Sequence, residues 1–394
     1  MKVKICKWYN NAHSPVLFFI DDLANVWVDV NGNGKVDLGE DWGYDKDGEN
    51  SSFRFLNETI LKNFPMIKTT FFVPVGVRVG MIKNPKIMSV SKMINCDEKT
   101  KQFFKKINDE EKCEIAYHGT THGKVGETAS EFRQEWELFD SIDKAVRTIN
   151  KGKDIYKEVF GGYPRGGKYC GYATNTLSDE SIDSTGFLWW CRKWNRGVYG
   201  SNNKLDPQKL FDISTFGRNN IIDIPSTIDG GLLTGVFKAN IKTIKGLIKR
   251  LLRGYLISKK MEQIQFLIDN KLVISIQEHM APSRDDGMRQ SPNIFDDKES
   301  LIYIFQYLQR QNVWYCTGTE LAEYYWTREN INVETIDKTH FKLSNYIKEN
   351  IKFNQLSIII DNCKKVVCPD GSNIFASNNG CFNIEILNGI YTVY

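Results

Sequence analysis

The sequence predicts an α/β fold built on a barrel or distorted barrel of parallel strands, followed by a small all-β module. Three observations carry this. Short apolar runs recur along most of the chain, and helix-like segments lie between them, the strand–helix–strand series of a parallel sheet. The number of such units favours closure into a barrel over a short open sheet. From about residue 330 the texture changes to alternating apolar and polar residues separated by Asn-, Gly- and Asp-rich turns.

In chain order, buried strands are predicted at residues 16–20, 69–75, 114–117, 221–224, 272–276 and 313–316. Helices are predicted at 53–63, 100–108, 130–150, 176–184, 241–270 and 297–311. Alternating strands follow at 356–360, 382–386 and 390–394. The division this gives is a barrel domain over 1–328, with an acidic loop at 29–50, and a β-rich module over 329–394. A module of that size is marginal alone and should pack on the barrel.

Charge excludes some partners. Lys plus Arg total 52 against 48 Asp plus Glu, a net +4, which lacks the strong positive field that nucleic-acid binding needs. The charged first residues are not followed by an apolar signal core, and 16–20 is far too short to span a bilayer, so a cytoplasmic protein is expected. The nine cysteines include no CxxC pair, which agrees with reduced thiols.

The chemistry sits at the strand ends. His118 and His122 are two of only five histidines, and their spacing lets both imidazoles turn to one point. The first strand ends in Asp21-Asp22. Two imidazoles and a carboxylate suit a mononuclear metal site with open positions. Adjacent residues on a strand point to opposite faces, but where the chain leaves a barrel strand both can reach the mouth.

These segments resemble, in order, the motifs of the polysaccharide deacetylase superfamily (NodB-like, carbohydrate esterase family 4), over about residues 13–325. Phe19-Ile20-Asp21-Asp22 is similar to its first motif, His118-Gly119-Thr120-Thr121-His122 to its His-x-x-x-His motif, and Ile274 to His279 to its last strand. Gly162-Tyr163-Pro164-Arg165-Gly166 falls where the family has its Arg-x-Pro motif but departs from it, since Arg165 follows the proline.

The resemblance implies a distorted (β/α) barrel of the NodB-like type. It further implies Asp21 as catalytic base, Asp22, His118 and His122 as ligands of one divalent transition metal, and His279 as catalytic acid. Zinc is the first expectation, and cobalt, nickel or iron suit the same donors. Arg165 is the candidate partner of Asp21, and Asp223 the candidate partner of His279. The implied substrate is an acetylated carbohydrate, losing an N-acetyl or O-acetyl group, in surface-polysaccharide assembly. Two rivals stand beside this reading: a metal-dependent amidase acting on a non-sugar C–N bond, and a non-catalytic carbohydrate-binding protein on the same scaffold.

Three further features call for a reading. Asp29, Asn31, Asn33, Asp37 and Glu40 have calcium-loop spacing, with Gly34 at the sixth position, but β-like flanks; bound calcium and an acidic Asn/Gly turn both remain open. Trp42, Tyr44, Tyr163 and Trp190 are candidate sugar-stacking aromatics, with core packing as the alternative for each tryptophan. Over 238–260, lysines and arginines punctuate an apolar stripe at helical spacing. An outer barrel helix with a solvated face accounts for it, and weak attachment to an anionic membrane surface is the sharper reading.

Overall fold

The computed structural model describes residues 1–195, 211–345 and 351–394. Strand β1 (Ser14–Asp21) is buried at every position. Around it lie β2 (Thr69–Val73), β3 (Cys113–Tyr117), β4 (Gly166–Lys168), β5 (Trp189–Cys191), β6 (Ser214–Phe216), β7 (Ile221–Asp223), β8 (Ile228–Asp229), β9 (Ile274–His279) and β10 (Val313–Tyr315). Their spatial order is β6-β7-β5-β4-β3-β2-β1-β9-β8, with β10 on the first residues of β1. Neighbours are parallel except β6 against β7.

The sheet is strongly curled, and the chain after β7 crosses from one side of it to the other. Ile224 and Ser226 donate their N–H groups to the Trp190 and Lys193 carbonyls, while Thr227 and Gly230 donate to those of Ser275 and Gln277. One stretch of chain therefore bridges β5 on one side and β9 on the other, giving a distorted, curled barrel that is open between its end strands.

The period-two alternation of the strands separates two cores. Val16, Phe18 and Ile20 point outward and pack with residues of the surrounding helices. Leu17 and Phe19 point inward to Phe72, Ala116 and Trp189. Inward positions just beyond these layers are Asp21 on β1, His118 after β3 and His279 on β9. The barrel thus stacks apolar layers below and polar residues at its mouth, where parallel-barrel sites lie.

Several elements differ from the sequence reading. The helix expected at 130–150 instead runs Ile142–Phe160, capped by the Ser141 hydroxyl on the Lys144 N–H. The single helix expected over 241–270 is two, Ile244–Leu251 and Arg253–Asp269, broken at Leu252. A further helix, Gly318–Asn330, starts at a capping box of Thr317 and Glu320.

The C-terminal strands form two antiparallel sheets. One joins Gln355–Ile360 and Phe382–Glu385 to the N-terminal strand Val3–Ile5; the other has five strands, including Ile331–Thr335 and Gly389–Val393. Phe341, Leu356, Ile358 and Tyr391 share one buried cluster with Leu17, Phe19 and Trp314, so the module covers the barrel end remote from its mouth.

Candidate active site and metal centre

Asp21 ends β1 and is 2% exposed. It lies in register with His279 on β9, so the two strands deliver a carboxylate and an imidazole side by side. Asp22 then takes a left-handed backbone, φ 62°. That conformation is uncommon outside glycine but tolerated by aspartate, and it brings the second carboxylate to the same mouth.

The Asp22 carboxylate accepts from Arg78 Nε at 3.2 Å, Arg78 Nη2 at 3.3 Å and Gln290 Nε2 at 3.0 Å. Burial opposes its ionisation, yet the Arg78 guanidinium holds it well below the ordinary carboxylate range. Arg78 in turn lies over the Trp42 ring, 4.4 Å from its centroid.

The loop after β3 is shaped by a residue the sequence reading did not select. The buried Glu135 carboxylate accepts the backbone N–H groups of Thr120, Thr121 and His122 at 2.7–2.9 Å. Gly119 makes the wrap possible: its φ is 85°, and a Cβ there would lie 2.9 Å from Glu135 Oε2. The result sets the His118 and His122 rings 5.0 Å apart at 70°.

His118 Nδ1 lies 3.1 Å from the Lys168 carbonyl. A carbonyl only accepts, so Nδ1 carries the hydrogen and Nε2 keeps its lone pair. His122 Nε2 lies 3.3 Å from Asp22 Oδ1, and its Nδ1 is buried without a partner among the described residues. Burial lowers both imidazole pKa values, His122 well below the usual range, so both are neutral, as metal ligands must be.

Lys168 is the largest departure from the sequence reading. It is fully buried at the end of β4, and its Nζ donates to Asp21 Oδ2 at 2.6 Å and to Gln277 Oε1. The ammonium also sits 4.2 Å from the Tyr172 ring centroid and 5.2 Å from that of Phe72. Arg165 does not reach Asp21. It precedes β4 and so lies at the opposite end of the barrel, where its Nη2 pairs with Glu323 at 3.1 Å. Tyr163 is at that same far end, between Lys153 and Lys157.

His279 Nδ1 lies 2.7 Å from the Pro292 carbonyl, which fixes the ring with Nε2 turned inward, 3.9 Å from Asp21 Oδ2. His118 Nε2 is also 3.9 Å from that oxygen. Asp223 is not the partner of His279. It accepts the Arg192 backbone N–H at 3.2 Å and pairs with the Arg192 guanidinium, while burial pushes its carboxyl up to about 6.

The candidate aromatics separate by burial. Trp42 is 1% exposed and donates its indole N–H to Ser283, so it supports Arg78 and offers no open ring face. Trp190 is wholly buried among Tyr117, Trp136, Tyr169 and Phe187. Tyr44 is half-buried and stacked on Trp27. In the acidic loop, Asp29 accepts the Asn33 and Gly34 N–H groups, Asn31 and Asn33 donate to Asp37, and Glu40 accepts from Val30 and Asp37. The loop's own donors thus meet its carboxylates.

Among the described residues, one group of three metal-capable side chains has its ligand atoms within 4.8 Å of one another: His118, His122 and Cys170. Cys170 is a poor third ligand. Its thiol donates to the His118 carbonyl, and burial pushes its pKa well up, away from the thiolate a metal takes. Asp22 is the better donor by chemistry. Donors about 2.1 Å from a tetrahedral cation stand roughly 3.4 Å apart, and the Asp22–His122 separation of 3.3 Å matches this. Two neutral imidazoles and one ionised carboxylate fit a divalent transition metal, with Arg78 as a competitor for the carboxylate.

No protein-family model matches the chain, and no curated protein matches it. Among solved structures it is similar to two proteins provisionally described as polysaccharide deacetylases. One is from Pseudomonas aeruginosa, at 14% identity and TM-score 0.47 over 83% of this chain and 95% of that one. The other, from Mycobacterium smegmatis, gives 14% and 0.46 over 82% and 94%. An allantoinase, Puue, gives 13% and 0.45 over 81% and 92%.

Proposed function

We propose that the chain is a hydrolase that removes an acetyl group from a carbohydrate, with a divalent transition metal held by His118, His122 and Asp22. One observation carries the reading: the convergence on Asp21 Oδ2 of Lys168 Nζ at 2.6 Å and of the His118 and His279 Nε2 atoms at 3.9 Å each. A base, a proton carrier and a pair of metal-capable imidazoles in one buried mouth suit acyl hydrolysis and exceed what a binding module needs.

When bound, the cation supplies Lewis acidity toward an acyl carbonyl. Asp21 is the acceptor for the proton of the attacking water, and the Lys168 ammonium, donating to its Oδ2 at 2.6 Å, keeps that carboxylate aimed. His279, once protonated, has an Nε2–H to give to the departing amine or alcohol oxygen. Its bond to Pro292 holds the ring in place, and Glu135 holds the loop that presents His118 and His122.

One observation favours the second reading, an amidase on a non-sugar C–N bond: Trp42 and Trp190 offer no exposed face for a sugar ring. Acetate release from N-acetylglucosamine oligomers and acetylated xylose oligomers, in the presence of cobalt or zinc, tests the choice. Release that Asp21→Asn and His279→Ala abolish supports deacetylation. Turnover confined to small non-sugar amides transfers the site to the second reading.

A further inference from the structure

Between Asp229 and Glu262 the chain carries eight lysines and arginines and no acidic residue. This stretch alone contributes +8 where the whole chain is +4, so the remainder is −4. An outer barrel helix would bury its apolar stripe and leave the cations in solvent. The second helix, Arg253–Asp269, does so through Ile257, Met261, Ile264, Leu267 and Ile268. The first, Ile244–Leu251, does the opposite: Gly246 is its one buried residue, while Ile244 is 82% and Leu251 76% exposed. Leu247, Ile248, Leu252 and Tyr255 extend this apolar surface, each about half exposed or more.

The cations on the same surface identify the occupant. Lys242, Lys245 and Arg250 are exposed and pair with no carboxylate among the described residues. Lysine is depleted at protein–protein contacts, whereas exposed Ile, Leu and Tyr ringed by unpaired Lys and Arg on a short helix match the surface of an anionic bilayer. No helix among the described residues is long and apolar enough to cross a membrane. We propose that the face formed by residues 241–255 docks on an anionic lipid surface, with the Ile244–Leu251 helix lying in the interfacial plane.

Topology places this face beside the site. The chain leaves β8 at the barrel mouth and returns to the far end through Arg253–Asp269, so residues 230–252 remain at the mouth. Lys238 pairs with Asp296 at 3.3 Å, in the loop whose Pro292 carbonyl holds His279. Docking would therefore turn the mouth toward the bilayer and favour a substrate held at the membrane. That consequence rests on the hydrolase reading; the docking itself does not.

The test is co-sedimentation of the full chain with phosphatidylcholine vesicles, with and without phosphatidylglycerol. Sedimentation only with the anionic vesicles, weakened by salt, is expected. Lys242→Glu with Lys245→Glu and Arg250→Glu should weaken partitioning at least about a hundredfold. Ile244→Ser with Leu251→Ser should also weaken it, with the melting temperature unchanged because both side chains are exposed. The proposal is overturned if anionic vesicles leave the protein in solution, or if either variant binds as wild type does. It is likewise overturned by a lipid-independent dimer that Ile244→Ser with Leu251→Ser dissolves, which assigns the face to a second copy of the chain.

Discussion

Replacing Lys168 with methionine removes one half of an ion pair in which the ammonium is 0% and the Asp21 carboxylate 3% exposed. Neither charge can turn to water. Breaking a buried pair from one side typically costs about 3–5 kcal/mol, because the remaining charge keeps its desolvation penalty and loses its compensation. Here the bond is short, 2.6 Å, and Asp21 Oδ1 is buried with no partner among the described residues, so no second donor stands ready to replace Lys168. For a chain of 394 residues the cost corresponds to a fall in melting temperature of roughly 4–6 °C. Thermal melts of wild type, Lys168→Met, Asp21→Asn and the double variant give the coupling directly. The double variant should be less destabilised than Lys168→Met alone, by about 1–3 kcal/mol, because the orphaned charge is gone. Additive effects, or a Lys168→Met melt within a degree or so of wild type, would refute the assignment of Lys168 as the counter-charge of Asp21.

Further outcomes follow from the same geometry. Arg78→Met should tighten cobalt binding, since the guanidinium no longer shares the Asp22 carboxylate; titration calorimetry showing weaker binding would make Arg78 a positioning group instead. Glu135→Gln should weaken metal affinity about 10–100-fold, the usual effect of losing an outer-shell partner, read by competition with a chelating dye. Burial pushes Glu114 up to about 7, against hydrogen bonds from Thr319 and Thr70. Its unfolded value is about 4.3, so between the two the folded chain binds the extra proton. That contribution is full below the unfolded value and is lost as pH rises through the folded one, on the order of 4 kcal/mol at most. Urea melts from acid to neutral pH should show stability falling across this window, and Glu114→Gln should flatten that fall.

The barrel was legible wherever a strand is long and wholly buried, as in Ser14–Asp21 and Ile274–His279. Strands Gly166–Lys168 and Trp189–Cys191 were not, because three residues carry no period and two of the first strand's are glycines. The same brevity hid Lys168: the departure around Pro164 drew attention to Arg165, which sits before the strand and hence at the wrong end. A lysine between Gly-Gly and Tyr-Cys, flanked by no other charge, was the available signal. Glu135 left no such trace, since its role is to accept three backbone N–H groups from a loop 13–15 residues away. Trp42 and Arg78 show the complementary limit: a tryptophan near a mouth reads as a sugar platform until the cation stacked on it is visible. The 241–270 stretch had the period of a helix throughout, and no pattern in it marked the break at Leu252 that leaves its first half facing outward.

The most direct measurement is cobalt binding to the metal-stripped protein, followed through its visible absorption, beside His122→Ala. One equivalent per chain is expected, with the spectrum of a mixed nitrogen and oxygen site, lost in His122→Ala while Asp37→Ala in the acidic loop keeps it. No saturable binding by wild type, or binding that His122→Ala leaves undiminished, would contradict it.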